Sequence, residues 1–238
     1  MRKPVIDRQV VTVATMTYDT ILARDGKCVL PKGYQIVAGL GKSEDPRLGI
    51  IAQSDTQIVV CFRGTGNWFD IYKDLTLNQI PYPFVKQAGK THQGFTEMYE
   101  GTIRSQLFNI LSGLSHKKQL ILCGHSMGGA IATLAALDLA CNSKFKHPHV
   151  YTFGSPRVGN SAFVHLFNKT IPFSYRIANR YDVVPHFPLR RTFQLHYRHV
   201  HSLVRISFRQ GGIVPNHEMA NYYKQVCRMF EKGRGFSS

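Results

Sequence analysis

Acidic residues are scarce: 14 Asp and Glu stand against 30 Lys and Arg in 238 residues, a net charge of +16 with histidine neutral. A run of about 18 apolar residues, which a membrane-crossing helix needs, is missing. The opening MRKPVIDRQVV carries Asp7 and Arg8 where a secretion signal requires an apolar stretch, so no signal peptide is expected. Cysteine is sparse and scattered. Cys28, Cys61, Cys123, Cys141 and Cys227 are odd in number and form no CxxC pair, which fits neither a disulfide framework nor a zinc site and suits a reducing, cytoplasmic location. Linkers, low-complexity tracts and internal repeats are absent too, so one domain over 1–238 is expected.

The hydrophobic fraction is 43% and the charged fraction 18%, enough apolar side chain to bury a core and too little charge for a disordered chain. The charge is skewed. Residues 143–238 carry 15 Lys and Arg against 3 Asp and Glu, a net charge of +12, and residues 1–142 a net charge of +4. Such a skew invites a nucleic-acid partner or an anionic membrane surface.

Along the chain, Val10, Ala14, Tyr18 and Ile21 predict an amphipathic helix over about 8–22. Three short apolar runs follow between Gly33 and Phe62 (GYQIVAGL, LGIIAQS, QIVVCF) and read as strands, the last fully buried. Residues 93–111 are helical in pattern, and QLILC is another buried strand. Residues 130–140 read as a helix apolar on nearly every side except at Asp138. HVYTFGS and SYRIAN are strands separated by a helix over 160–169, and HVHSLVRISF alternates as an edge strand. Met219, Tyr223, Val226 and Phe230 define the inner face of a last helix. This alternation predicts an α/β chain with a central, mostly parallel sheet flanked by helices on both faces.

The strongest local signal is LILCGHSMGGAIATLAAL, a buried strand and a buried helix joined by Gly124-His125-Ser126-Met127-Gly128. A serine at a sharp strand-to-helix turn presents its hydroxyl as a nucleophile, and glycines two before and two after let the turn close. The turn sets Ser126 at a helix N-terminus, where the backbone N–H of Met127 faces any oxyanion formed. Such a serine needs a base, and the base a carboxylate, in the chain order Ser, acid, His. Only Asp138, Asp182, Glu218 and Glu231 follow the serine. Asp138 lies on the third helical turn and Glu231 at the far end of the last helix, whereas Asp182 directly follows SYRIAN at the carboxyl edge of the sheet, so Asp182 is the expected acid. Among the later histidines, His217 lies after the loop GGIVPN at the start of the last helix and is the preferred base, with His199 the alternate.

Several stations occur in order: CFRGT at 61–65, His92-Gln93-Gly94-Phe95, GHSMGG at 124–129, TFGSPRVGN at 152–160, RYDVVPHFP at 180–188 and NHEMANYY at 216–223. In this the sequence resembles the class 3 (fungal-type) lipase family of the α/β-hydrolases. The resemblance implies the α/β-hydrolase fold and a triad of Ser126, Asp182 and His217. It also implies a second oxyanion donor at Thr65, beside Met127, and no metal or organic cofactor. After Thr65 the family carries a lid. Here the segment resembles its D-W-x-x-D-L stretch, but Ile71 stands in place of the usual Trp and the chain's single Trp is Trp68. Trp68, Phe69, Ile71 and Tyr72 are then either lipid-facing anchors or packing against the sheet.

The expected function is hydrolysis of carboxylic esters of lipids, an acylglycerol lipase or esterase, with an sn-1 phospholipase on anionic surfaces as the alternative. A basic nucleic-acid module built on FPLRRTFQLHYRHVH (187–201) and a catalytically inactive lipid-binding relative are the remote ones. The expected partners are a lipid ester and an anionic membrane or lipid-droplet surface, with no nucleic acid.

Overall fold

The computed structural model describes residues 6–22, 28–42, 45–64, 77–192 and 194–234. Its centre is a seven-stranded sheet in the order β1-β2-β3-β6-β7-β8-β11, in which β1 (Gln35–Lys42), β2 (Asp45–Gln53) and β3 (Gln57–Phe62) are antiparallel neighbours. From β3 onward, β6 (Gln119–His125), β7 (His149–Phe153), β8 (Ser174–Asn179) and β11 (Leu203–Ile206) all run parallel. Short strands β4 (Gln79–Pro81) and β5 (Lys90–His92) pair with each other, as do β9 (Arg191–Thr192) and β10 (Leu195–His196).

The continuous apolar runs are explained by cover on both faces. Ile58, Val60, Phe62, Leu120 and Leu122 point into one core, while Val59, Cys61, Ile121 and Cys123 point into the other. The first core is closed by helices Met127–Asn142 and Ser161–Thr170 and by the helical stretch 93–112. The second is closed by the N-terminal helix Arg8–Leu22 and the C-terminal helix Met219–Arg234. Strand β11 is an edge strand with Val204 and Ile206 buried, but it is shorter than the alternation over 199–208 suggested, because its partner in β8 supplies register only for Leu203–Ile206.

The stretch 93–112 is not one α-helix. Gln93–Met98 and Ser105–Ser112 are α-helical, and Tyr99–Arg104 is π-helical. The buried residues Phe95, Tyr99, Ile103, Leu107 and Leu111 repeat every four positions. An α-helix of 3.6 residues per turn would rotate that stripe off the sheet, and the wider π turn holds it in place. Asp138 is the one charged residue in Met127–Asn142, and this stretch helps satisfy it. Its carboxylate accepts from Tyr99 Oη at 2.8 Å and Arg104 Nε at 2.6 Å, and from Asn142 Nδ2 at 2.7 Å.

His92 caps Gln93–Met98 through its ring. Burial holds its pKa at about 4, and burial followed by the nearby Arg176 holds His199 at about 3. Both lie below the ordinary value of 6.5, so between these values the unfolded chain binds more protons and stability falls as pH drops below 6.5. Each costs about 2 kcal/mol of stability at pH 5. The denaturant midpoint is therefore expected to be clearly lower at pH 5 than at pH 7.5; equal midpoints would contradict the buried, neutral state of both rings.

Candidate active site

Strand β6 ends at His125, and Ser126 turns the chain into the helix Met127–Asn142 with φ 56° and ψ −125°. A non-glycine residue in this region costs roughly 1–3 kcal/mol, which the surrounding packing must impose. Ser126 N donates to Phe153 O at 2.9 Å, and Ser126 O accepts from Gly129 N at 3.0 Å. Gly128 lies so close to the end of β3 that a Cβ there would overlap the carbonyl of Phe62, so a side chain at this position would push the turn off the sheet.

The other two groups arrive from opposite ends of the C-terminal half. Asp182 follows β8, its N–H donating to Asn179 O at 3.1 Å and its Oδ1 accepting from Val184 N at 2.9 Å. His217 ends the short helix Ile213–His217 just before the C-terminal helix. Its Nδ1 lies 2.7 Å from Asp182 Oδ2, and its Nε2 2.8 Å from Ser126 Oγ. A carboxylate only accepts, so Nδ1 carries the proton and Nε2 is left to accept from the serine hydroxyl. Ser126, Asp182 and His217 are each no more than 1% exposed, so the hydrogen-bonded series is buried.

Sequence reasoning missed two supports. Tyr222 donates its hydroxyl to Asp182 Oδ2 at 2.7 Å and accepts from Asn179 N at 2.9 Å. Burial and the adjacent Asp182 push its phenol up, so it stays a donor. Helical spacing from Met219 admits Tyr222 or Tyr223. The expected inner-face residue Tyr223 is only partly buried and stacks on Tyr18 with ring centroids 5.3 Å apart, while Tyr222 takes the core position. The second support is His125, whose Nε2 lies 2.6 Å from the backbone oxygen of His217. Burial, and then the nearby His217, lowers its pKa, so it is the neutral ring whose N–H holds the His217 backbone in place. A third contact explains TFGSP: Gly154 has φ 58°, and a Cβ there would sit 2.8 Å from Asp182 Oδ2.

Tyr222→Phe is expected to lower kcat about tenfold with KM nearly unchanged, because one hydrogen bond to the Asp182 carboxylate is lost. It also leaves Asn179 N unpaired, so the variant should be about 1–3 kcal/mol less stable. Steady-state kinetics with a denaturant titration checks both, and an unchanged kcat would remove Tyr222 from the positioning of Asp182.

The alternate base His199 is elsewhere: its Nε2 lies 2.7 Å from Pro185 O. Tyr197, from the cation-and-aromatic segment, is buried with its hydroxyl on Leu77 O at 2.9 Å, and so offers no face for stacking a base. Met127 is the first residue of its helix and stands beside Ser126. Thr65, Trp68, Phe69, Ile71 and Tyr72 lie outside the described residues. The neighbouring Gly64 packs its Cα against the elbow, where a Cβ would be 3.4 Å from Ser126 Cβ. Beside His217 a largely apolar hollow of about 290 Å³ opens, lined among others by Tyr18, Ile21, Gly64, Val214 and Met219.

A strand-turn-helix serine joined to His and Asp on a mostly parallel sheet defines an α/β-hydrolase. The model of the family "Lipase (class 3)" matches residues 59–192, and the chain belongs to that family. It is 36% identical over 148 residues to a lipase of Rhizopus niveus, covering 59% of this chain and 37% of that one. To a lipase of Rhizomucor miehei it is 31% identical over 198 residues, covering 73% of this chain and 53% of the relative. The chain thus spans between about a third and a half of the length of these curated relatives. A solved triacylglycerol lipase, described as having a serine protease triad at its catalytic centre, superposes with a TM-score of 0.70 at 27% identity, over 83% of this chain and 78% of that one.

Proposed function

We propose that this chain is a serine hydrolase that cleaves carboxylic ester bonds of lipids, acylglycerols foremost, through an acyl-enzyme on Ser126. The observation that carries the reading is the unbroken hydrogen-bonded series from Ser126 Oγ through His217 to Asp182 Oδ2. In the first half-reaction Ser126 Oγ attacks the ester carbonyl while His217 Nε2 takes its proton. The tetrahedral oxyanion is held by the N–H of Met127 and, in this proposal, by Thr65. His217 then protonates the leaving alcohol. In the second half, water enters, gives a proton to His217 and releases the fatty acid, and the proton returns to Ser126. Asp182 and the Tyr222 hydroxyl behind it keep the imidazole in the tautomer that accepts from Ser126, and the carboxylate stabilises the imidazolium in both halves. The largely apolar hollow beside His217, with Arg63 and Glu218 also in its lining, has room for an acyl chain, and the family membership together with the solved triacylglycerol lipase supports an acylglycerol.

We further infer peripheral contact with anionic lipid surfaces from the net charge of +12 over 143–238, and a reducing location from the five scattered thiols. A substrate panel tests the main reading. Short- and long-chain acyl esters and a triacylglycerol emulsion are expected to be hydrolysed, with phosphatidylcholine slower. Turnover of phospholipid alone, or of none of these, would contradict it.

A further inference from the structure

On the sheet face turned away from the C-terminal helix, β8 and β11 are overlaid not by a helix but by the loop that joins them. Between the strands and that loop lies a cleft of about 290 Å³, lined by Arg157, Arg176, Arg180, Arg205, His186 and His199. The remaining lining is uncharged and includes no aromatic side chain. The strand pleat makes this arrangement. Ile177 turns into the core under the C-terminal helix, so Arg176 and Ala178 turn the other way, and the register sets Arg205 opposite Ala178. The small Ala178 leaves the space that the guanidinium groups surround.

The deepest cations are fixed by neutral acceptors. Arg176 Nε donates to Val200 O at 2.7 Å, and Arg157 Nη1 donates to the carbonyls of Pro188, at 2.7 Å, and His186. Each guanidinium has five N–H donors, so further donors remain after these bonds. Among the described residues no carboxylate lines the cleft: residues 143–238 contain only Asp182, committed to His217 and Tyr222, Glu218 and Glu231, and none of them lines it. The cations therefore bear on one another. Burial first and Arg157 second hold Arg176 down to about 10, and Arg157 is lowered by burial and by Arg190. Buried cations are normally paired with a carboxylate, and among the described residues Arg157 and Arg176 have backbone carbonyls but no carboxylate.

We propose that this cleft is a binding site for a phosphate group, separate from Ser126. Several guanidinium forks converging on one space match an anion with several oxygens and about two negative charges, as a phosphate monoester has near neutral pH. The lining holds no Phe, Tyr or Trp on which a base could stack, which favours recognition of the phosphate over a nucleobase. The inference does not depend on the esterase reading, since none of the four arginines hydrogen-bonds to a triad side chain.

Isothermal titration at fixed ionic strength tests it, with inorganic phosphate and glycerol 3-phosphate as probes. One site per chain is expected, with Kd at about 1 mM or tighter. The rim variant Arg180→Ser/Arg205→Ser, whose side chains are exposed, should weaken binding roughly tenfold or more while hydrolysis of a soluble p-nitrophenyl ester stays unchanged. Co-sedimentation with phosphatidylcholine vesicles, with and without phosphatidic acid, identifies the source. Binding of the soluble probes that the variant loses supports a free phosphate compound. Binding only to phosphatidic acid vesicles, lost in the variant, supports a lipid headgroup. No binding in either arm, or binding that the variant retains, would overturn the proposal.

Discussion

Replacing Ser126 by alanine is expected to lower kcat for a p-nitrophenyl acyl ester on the order of 10⁵- to 10⁶-fold, with the fold intact. The reason is chemical: without Oγ there is no acyl-enzyme, and His217 can at best direct a water molecule at a carbonyl placed for a different attacker. What survives is the contribution of oxyanion donors and substrate binding, typically about 10³- to 10⁴-fold over the uncatalysed reaction. Alanine keeps the Cβ and removes only a hydroxyl, so the strained turn at φ 56° is left as it is and the thermal midpoint should move little. Retention of full hydrolysis would place the nucleophile elsewhere.

Asp182→Asn is expected to cost about 10⁴-fold in kcat. Asp182 accepts three hydrogen bonds, from His217 Nδ1 and Tyr222 Oη on Oδ2 and from Val184 N on Oδ1. An amide cannot reproduce this set. With its oxygen toward His217, its NH₂ opposes the Val184 N–H. With its NH₂ toward His217, it donates to Nδ1, drives the proton to Nε2 and leaves no acceptor for the serine. The charge that stabilises the imidazolium is lost in both orientations. Measured alongside Tyr222→Phe, the order of effects should be Asp182→Asn far above Tyr222→Phe, since the second removes one of three bonds to a charge that remains. A kcat for Asp182→Asn within tenfold of wild type would contradict the assigned role.

Much of the frame was legible because it is written in local signals. The runs QIVVCF and QLILC announce strands covered on both faces, and the two cores receive their alternate residues as the pleat requires. The elbow was legible because Gly124 and Gly128 have no other reason to flank a serine between a buried strand and a buried helix; in three dimensions Gly128 touches the end of β3. Asp182 stood out by elimination among few carboxylates, a benefit of the scarcity of Asp and Glu, and its carboxylate lies 2.7 Å from His217 Nδ1.

What stayed hidden depends on placement across the chain. Tyr222 and Tyr223 are neighbours with equal claim on a helical face, and only the position of Asp182 beneath that face decides which one acts. His125 reads as the filler of the elbow motif until His217 arrives 92 residues later and sets its backbone oxygen 2.6 Å from the ring. The π-helical Tyr99–Arg104 has no local mark beyond a period of four, which an α-helix tolerates over short lengths. The arginine cleft is least visible of all. Arg157, Arg176, Arg180 and Arg205 are spread over about 50 residues and gather only because β8 and β11 are parallel neighbours.

The most direct test of the central claim, that Ser126 is an activated nucleophile, is labelling with a fluorophosphonate followed by peptide mapping. One adduct per chain is expected, on Ser126, absent from Ser126→Ala and formed far more slowly in His217→Ala. No adduct on the folded wild type, or an adduct on another residue at the same rate in Ser126→Ala, would contradict it.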